Sequence, residues 1–292
     1  MTYILFNPLA GGGQGEARAQ ALAKRMRGRD VTLCDVTKLD AAAFLRGLPG
    51  TDVIILAGGD GTLNHFANAL NGVAPTQTIY YYPTGSGNDF MNDVRGNAAN
   101  ETVLLNPCLR GLPTVEVNGA RHAFLNGIGY GIDGYCCEVG DRLRAEGKQK
   151  INYAGIAIKG LLFHFRPMKA TVTVDGRTRT YKNVWLAPTM KGRFYGGGMN
   201  IAPAQDRQNP DGTVSAVVLH CRSRLKTLIV FPSIFKGEHV KHTEMVDVLS
   251  GHDVLVRFDR PCALQIDGET VKNVTEYRVR GAEPAADARE AG

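Results

Sequence analysis

The chain has no apolar run long enough to cross a bilayer. Its longest, INYAGIAIKGLLFHF (Ile151–Phe165), holds 15 residues and contains Lys159, whereas a spanning helix needs about 20. Tryptophan occurs once, Trp185 in NVWLAP, and reads as a core residue. There is no dense Lys/Arg block and no nucleic-acid motif, so a nucleic-acid partner is not expected. Neither Cys34, Cys108, Cys221, Cys262 nor the adjacent pair Cys136-Cys137 has zinc-finger spacing. A chain of 292 residues is also too large to need a disulfide framework. Reduced thiols are therefore expected. The N-terminus MTYILFNP has no basic flank like that of a signal peptide, and the expected location is cytoplasmic. A Walker loop is missing too, because GGGQGEAR lacks the Lys-Ser/Thr that holds phosphate and magnesium. GIGYGIDG (127–134) follows no clear strand within a βαβ unit, so it is not a dinucleotide fingerprint.

Glycine, by contrast, is plentiful, with 35 residues, many in short clusters. Apolar residues make up 43% and charged residues 21%, as in an ordinary globular protein. The formal charge is +6, which suits either a solvated basic surface or an anionic partner such as a nucleotide or lipid headgroup.

Short β runs alternate with helical segments through the first third. Tyr3–Phe6, Val31–Val36, Val53–Ala57 and Thr78–Tyr82 read as strands. Ala19, Leu22 and Met26 mark one helix face, and Ala41–Arg46 and Leu63–Leu70 read as further helices. This rhythm predicts an α/β domain with a mostly parallel, doubly wound sheet over 1–112. Beyond it, alternation in KATVTVDGRTRTYKN, with Asp175-Gly176 as a hairpin turn, and runs such as GTVSAVVL, DVLVRF and EYRVR predict a mostly antiparallel β-sandwich over 113–276. Residues 277–292 are expected to rejoin the first domain through Tyr277–Arg280, and GAEPAADAREAG is expected to fray.

Three glycine loops follow strands: FNPLAGGGQG (6–15), AGGDGTLN (57–64) and YPTGSGND (82–89). In a parallel sheet all three lie at the carboxyl edge, where doubly wound folds bind ligands. Glycine lets phosphate oxygens approach backbone N–H groups, and a helix starting near Leu63 adds a positive dipole end. Each loop alone is equally a tight turn.

In this order and spacing, FNPLAGGG, GGDGTLN and PTGSGNDF resemble the diacylglycerol kinase catalytic-domain family, which belongs to the same superfamily as the NAD kinases. FLNGIGYGIDG, KGLLF, FYGGGMNIAP, NPDGTV and QIDGE extend the resemblance over nearly the whole chain. GGDGT also occurs in NAD kinases, while GSGNDF and QIDGE favour the lipid kinases. The resemblance implies an N-terminal nucleotide-binding domain, a C-terminal β-sandwich, and ATP-dependent phosphorylation of a lipid hydroxyl that enters between the domains. The substrate most implied is diacylglycerol, giving phosphatidic acid.

The resemblance also assigns residues. Asn7, Thr37, Gly58, Gly59, Asp60, Gly61, Thr62, Asn64, Gly85 and Ser86 would contact ATP. Ser86 stands where threonine is usual, and Thr37 is equally a plain helix cap. Asp60 would hold Mg²⁺ against the phosphates, or only turn the chain. Asp89 and Glu116, the latter where aspartate is usual, would join it in an interdomain magnesium network, although Asp89 also suits an N-cap. Glu269 would be the general base, a carboxylate within reach of the acceptor hydroxyl; a competing mechanism gives that role to Asp60. Asp267 would orient the Glu269 turn or help bind metal. Asp211, Gln208 and Thr213 would bind a structural magnesium, or simply form a β-turn.

His239 and His242 lack a third zinc ligand in the sequence and read as surface or cleft histidines. The Ile151–Phe165 segment, with Lys148, Lys150, Lys159 and Arg166, reads as core stripe and solvated face, with peripheral membrane contact as the alternative. Homodimerisation stays open. Three rivals remain: a sphingoid-base or ceramide-type kinase on the same scaffold, a nucleotide-binding regulator without catalysis, and an NAD kinase. The departures at Ser86, Glu116 and Lys191 keep the regulator in view.

Overall fold

A computed structural model describes residues 1–85, 87–95, 101–148 and 151–282. The chain divides into two compact units, one ending at Arg110 and the other starting at Gly111.

The first unit is built on β1 (Thr2–Phe6), β2 (Val31–Asp35), β3 (Val53–Gly58), β4 (Thr78–Pro83) and β5 (Val103–Leu104). Their spatial order is β2-β1-β3-β4-β5; the first four are parallel and β5 is antiparallel. This is the expected doubly wound sheet. Helices α1 (Gly15–Arg25), α2 (Ala41–Arg46), α3 (Asp60–Ala69) and α4 (Asp89–Arg95) connect the strands. Ala19 and Leu22 of α1 pack on Ile4, Phe6, Ile55 and Ala57, a face set by the two-residue strand period. Ile54 and Leu56 point to the other face and are also fully buried, so β3 is apolar along its length, as a strand covered on both sides must be.

The second unit contains β6 (Thr114–Val117), β7 (Ala120–Ala123), β8 (Gly127–Tyr130), β9 (Met168–Val174), β10 (Arg177–Leu186), β11 (Thr189–Met190), a ribbon of β12 (Phe194–Tyr195) and β13 (Met199–Asn200), β14 (Val214–His220), β15 (Val246–Gly251), β16 (Asp253–Ile266) and β17 (Glu269–Arg280). Every pairing here is antiparallel. One edge of the long β16 pairs with β9 over Val254–Phe258 and with β8 over Leu264–Ile266. The ladder therefore runs β16-β8-β11-β14-β10-β9 and back to β16, folding one sheet into a sandwich. Asp175-Gly176 is the expected hairpin turn, with φ 46° and 79°. Trp185 lies in the core, fully buried.

Two expectations are corrected. Tyr277–Arg280 does not return to the first unit: it belongs to β17, paired with β16 on one side and β6 on the other. The tail from 283 lies outside the described residues. His239 is not at the surface: it is fully buried, bonded through Nε2 to the Ile201 carbonyl at 3.0 Å. All six cysteines are free.

Helices α5 (Ile132–Ala145), α6 (Tyr153–Lys159) and α7 (Arg224–Val230) flank this sheet. Among the described residues no helix is long and apolar enough to cross a membrane.

Candidate active site

In the order β2-β1-β3-β4 the connections reverse direction between β1 and β3, the switch point where open α/β sheets bind ligands. Asn7 follows β1 and Gly58 ends β3, so the first two glycine loops flank that point. Helix α3 starts at Asp60, three residues earlier than its apolar periodicity suggests, with Gly59 as an extended N-cap. Within GGDGT, Gly58 ends β3, Gly59 is the cap, and Asp60-Gly61-Thr62 form the first helical turn itself. Its N–H groups have no carbonyl behind them in the helix and point out of its end.

The three loops are tied together. Asn7 Nδ2 donates to Thr62 Oγ1 at 2.9 Å, and Arg18 of α1 donates to the Thr84 carbonyl at 2.8 Å. The Asp60 carboxylate accepts the Asp89 N–H at 3.1 Å and the Phe90 N–H at 2.9 Å. The acceptor at the N-terminus of α4 thus comes from 29 residues upstream, and Asp89 is its buried first residue. Packing explains two of the glycines. A Cβ on Gly85 would lie 2.6 Å from Gly59 Cα; one on Gly11, whose φ is 61°, would lie 2.5 Å from the Thr84 carbonyl oxygen. Any larger residue would separate the loops.

Other expected contacts are placed differently. Thr37 is exposed after β2, and its hydroxyl donates to Asp35 at 2.6 Å, so Asp35 is the cap there. Asn64 is buried one turn into α3 and accepts from Asn68 at 3.1 Å. Ser86 lies outside the described residues, as does Lys150. On either side of Ser86, Thr84 Oγ1 and Asn88 Oδ1 are buried without a partner among the described residues. Buried polar atoms are normally satisfied. The Thr84 hydroxyl, close to a helix N-terminus, can donate to an anionic ligand such as a polyphosphate, whereas Asn88 Oδ1 can only accept.

In the second unit Asp267-Gly268 is a two-residue turn joining β16 to β17, with φ 46° and 97°. The buried Asp267 carboxylate accepts the N–H groups of Leu125, Asn126 and Gly127 at 2.6, 2.8 and 2.9 Å. Buried Arg207 grips the same segment, donating to the Leu125 carbonyl and, at 2.7 Å, to Asn126 Oδ1. Glu269 follows at the start of β17, exposed. Asp267 thus orients the turn, and Glu269 follows it as an exposed residue. Glu116 is exposed on β6, in register with Arg121 and Arg278.

The 205–213 loop closes on its own amides. Asn209 accepts the Thr213 N–H at 3.1 Å and donates to the Asp206 and Thr213 carbonyls; Gln205 also donates to Thr213 O, at 3.1 Å. Asp211 and Gln208 are exposed. The Thr213 carbonyl already accepts two donors, so a cation there would displace one. Among the described residues no group of three or more His, Cys, Asp or Glu residues gathers as metal ligands.

Residues 1–117 match the model of the diacylglycerol kinase catalytic domain, and residues 126–285 match that of the YegS C-terminal NAD kinase beta sandwich-like domain. The chain belongs to the diacylglycerol kinase-like lipid kinase family. It is 29% identical over 257 residues to a diacylglycerol kinase of Mycobacterium tuberculosis, covering 82% of this chain and 80% of that one. A diacylglycerol kinase of Bacillus subtilis is 26% identical, with 80% and 76% covered. A crystal structure of a diacylglycerol kinase from Bacillus anthracis str. Sterne shares the fold at TM-score 0.59 and 18% identity, covering 97% of this chain and 94% of that one.

Two residues of this family member escape motif reading although the motifs contain them. Asp133, in GIGYGIDG, is fully enclosed at the start of α5 and accepts a hydrogen bond from the buried Tyr195 hydroxyl of FYGGG. Burial raises its pKa to about 7, which the Tyr195 bond partly opposes. Tyr81, in the YYYP run, donates to the Gly58 carbonyl at 3.1 Å; burial, then the Asp60 and Asp89 charges, push its pKa well above the usual value.

Proposed function

We propose that the protein is an ATP- and Mg²⁺-dependent kinase that transfers the γ-phosphate to a lipid hydroxyl, with diacylglycerol as the substrate. The observation that carries the nucleotide half is the junction of three loops at the switch point, with the N-terminus of α3 in the second loop and, in the third, a buried Thr84 hydroxyl that has no partner among the described residues. Gly59 to Thr62, Asn7 and the Gly85 turn hold the phosphates. Asp60, its carboxylate oriented by two backbone N–H groups, is the residue to hold magnesium, with Asp89 beside it. When bound, magnesium neutralises the phosphate oxygens.

Glu269 takes the proton from the acceptor hydroxyl as its oxygen bonds to the γ-phosphorus and the bond to ADP breaks. Exposure of Glu269 and the fixed role of Asp60 support this division over Asp60 as base. Diacylglycerol rests on similarity to relatives named diacylglycerol kinase.

Incubation of the full chain with radiolabelled ATP, Mg²⁺ and a panel of lipids, resolved by thin-layer chromatography, tests the reading. Labelled phosphatidic acid from diacylglycerol alone is expected. Phosphorylation of a sphingoid base or ceramide instead would replace the substrate. ATP binding with no product from any acceptor would favour the regulator and overturn the kinase.

A further inference from the structure

Two neighbouring elements of the second unit leave large apolar side chains in water. On α6 and the π turn that continues it (Gly160–His164), Ile158 is 47%, Leu162 38% and Phe163 73% exposed; on α7 and the turn after it, Leu225 is 69%, Ile229 69% and Phe235 47% exposed. The elements touch: Arg224, adjacent to Leu225, donates to the Leu161 carbonyl at 2.7 Å and to Leu162 O at 3.3 Å.

These side chains are not a core stripe. The core is served by Leu161, Phe165, Val230, Phe231 and Ile234, all buried. Ile158 and Leu162 are four residues apart, as are Leu225 and Ile229, so each pair lies on one outer face of its helix. The π turn, in which the Phe165 N–H bonds to the Gly160 carbonyl at 2.8 Å, places three exposed residues in succession between two buried ones. Such turns recur at functional sites.

The charge within these two segments has one sign, although Glu244 pairs with Lys226 and Glu138 and Asp141 share a cleft with His164. Residues 158–166 and 222–236 contain Lys159, Arg166, Arg222, Arg224, Lys226 and Lys236 and no aspartate or glutamate. Lys226 pairs with Glu244, and Arg224 lies over the Trp185 ring. Lys159, Arg166, Arg222 and Lys236, in the same segments as the apolar residues, are exposed. A two-fold contact between copies of this surface would set cations against cations. Exposed apolar residues accompanied in their own segments by cations alone match an anionic bilayer interface.

We propose that the α6–π segment and α7 form the face by which this protein seats on an anionic membrane surface. Its purpose rests on the lipid-kinase reading, but vesicle binding requires no turnover, so the two fail separately. The full chain is sedimented with vesicles of phosphatidylglycerol and phosphatidylcholine, and with phosphatidylcholine alone. Preferential binding to the anionic vesicles is expected, weakening as salt is raised. The triple variant F163S/L225S/I229S should bind them at least about tenfold more weakly. Its melting temperature and its turnover of a short-chain diacylglycerol below the micelle concentration should match the parent. Lys159→Ser with Arg222→Ser should lower anionic binding and flatten the salt dependence.

Equal binding by the triple variant and the parent, no binding by the parent, or no preference for anionic vesicles would each overturn the proposal. So would a concentration-dependent dimer that the triple variant abolishes, since a second copy would then cover the face. Vesicle binding without phosphorylation of diacylglycerol would leave the face standing and remove the substrate.

Discussion

The two units secure their acidic residues in opposite ways. In the first, Asp60 is the held residue: both of its oxygens take backbone N–H groups from the next loop. In the second, a different residue is held. Asp267 takes three backbone N–H groups, and Glu269, two residues on, stays exposed. A group that fixes a metal against phosphates gains from being locked in place, whereas a proton acceptor must be reachable by the substrate. Under the proposed mechanism, one unit joins structure and chemistry in a single aspartate, and the other divides them between two carboxylates. Substitution should expose that difference.

The largest effect is expected at Asp60. Asp60→Ala should lower turnover at least about 10³-fold through lost charge stabilisation. It should also cost about 1–3 kcal/mol, because two N–H groups at the start of α4 lose their acceptor. Calorimetry and the phosphorylation assay on one preparation would show both. Asp60→Asn keeps an acceptor and should recover more stability than activity. Full activity in Asp60→Ala would remove it from the site.

In the second unit the two losses should separate. Glu269→Gln should reduce kcat by about 10²–10⁴-fold and leave the stability within about 0.5 kcal/mol, as expected for an exposed side chain. Asp267→Ala should destabilise by several kcal/mol, at about 1–3 kcal/mol for each N–H left unpaired. If Glu269→Gln unfolds the protein, or Asp267→Ala melts with the parent, the division of labour is wrong.

The same contrast accounts for what was legible in the sequence. β1, β3 and β4 carry their signal locally, in short apolar runs followed by glycine-containing loops, so the parallel sheet and its glycine-rich edge are legible in the pattern. Which loop caps which helix did not. The acceptor at α4 is Asp60, 29 residues away, and the partners of Asp267 are 140 or more residues away. EYRVR alternates well in any sheet, so the unit that takes Tyr277–Arg280 is not legible locally; its pairing with β16 and β6 fixes it. Asp133 gave no signal beyond its motif, since burial and the Tyr195 hydroxyl come from tertiary structure.

Asp133 supplies the next prediction. Its folded pKa, about 7, lies above the value of about 3.9 in an unfolded chain. The folded state therefore binds the proton more tightly. Stability should fall as pH rises from about 4 to about 7, and the cost is complete above that range. Asp133→Asn removes the titration and can still accept from Tyr195. It should melt higher than the parent at pH 8, by up to about 4 kcal/mol of stability, with the gain shrinking towards pH 5. Melting curves across that range decide it: a pH-independent difference would show that Asp133 does not change charge there.

The smallest effects are expected in the 205–213 loop, where an amide closure and a cation would compete for one carbonyl. Asn209 makes hydrogen bonds across the loop, so Asn209→Ala should cost about 1–2 kcal/mol with or without magnesium. Asp211 is exposed. Asp211→Ala should be within about 0.5 kcal/mol of the parent in chelator, and should differ only by losing a magnesium-dependent increment. That increment should not exceed about 1 kcal/mol, because a cation at Thr213 O must displace an amide donor worth about as much. Identical parent melting curves in magnesium and in chelator would show that no cation contributes to the closure of this loop.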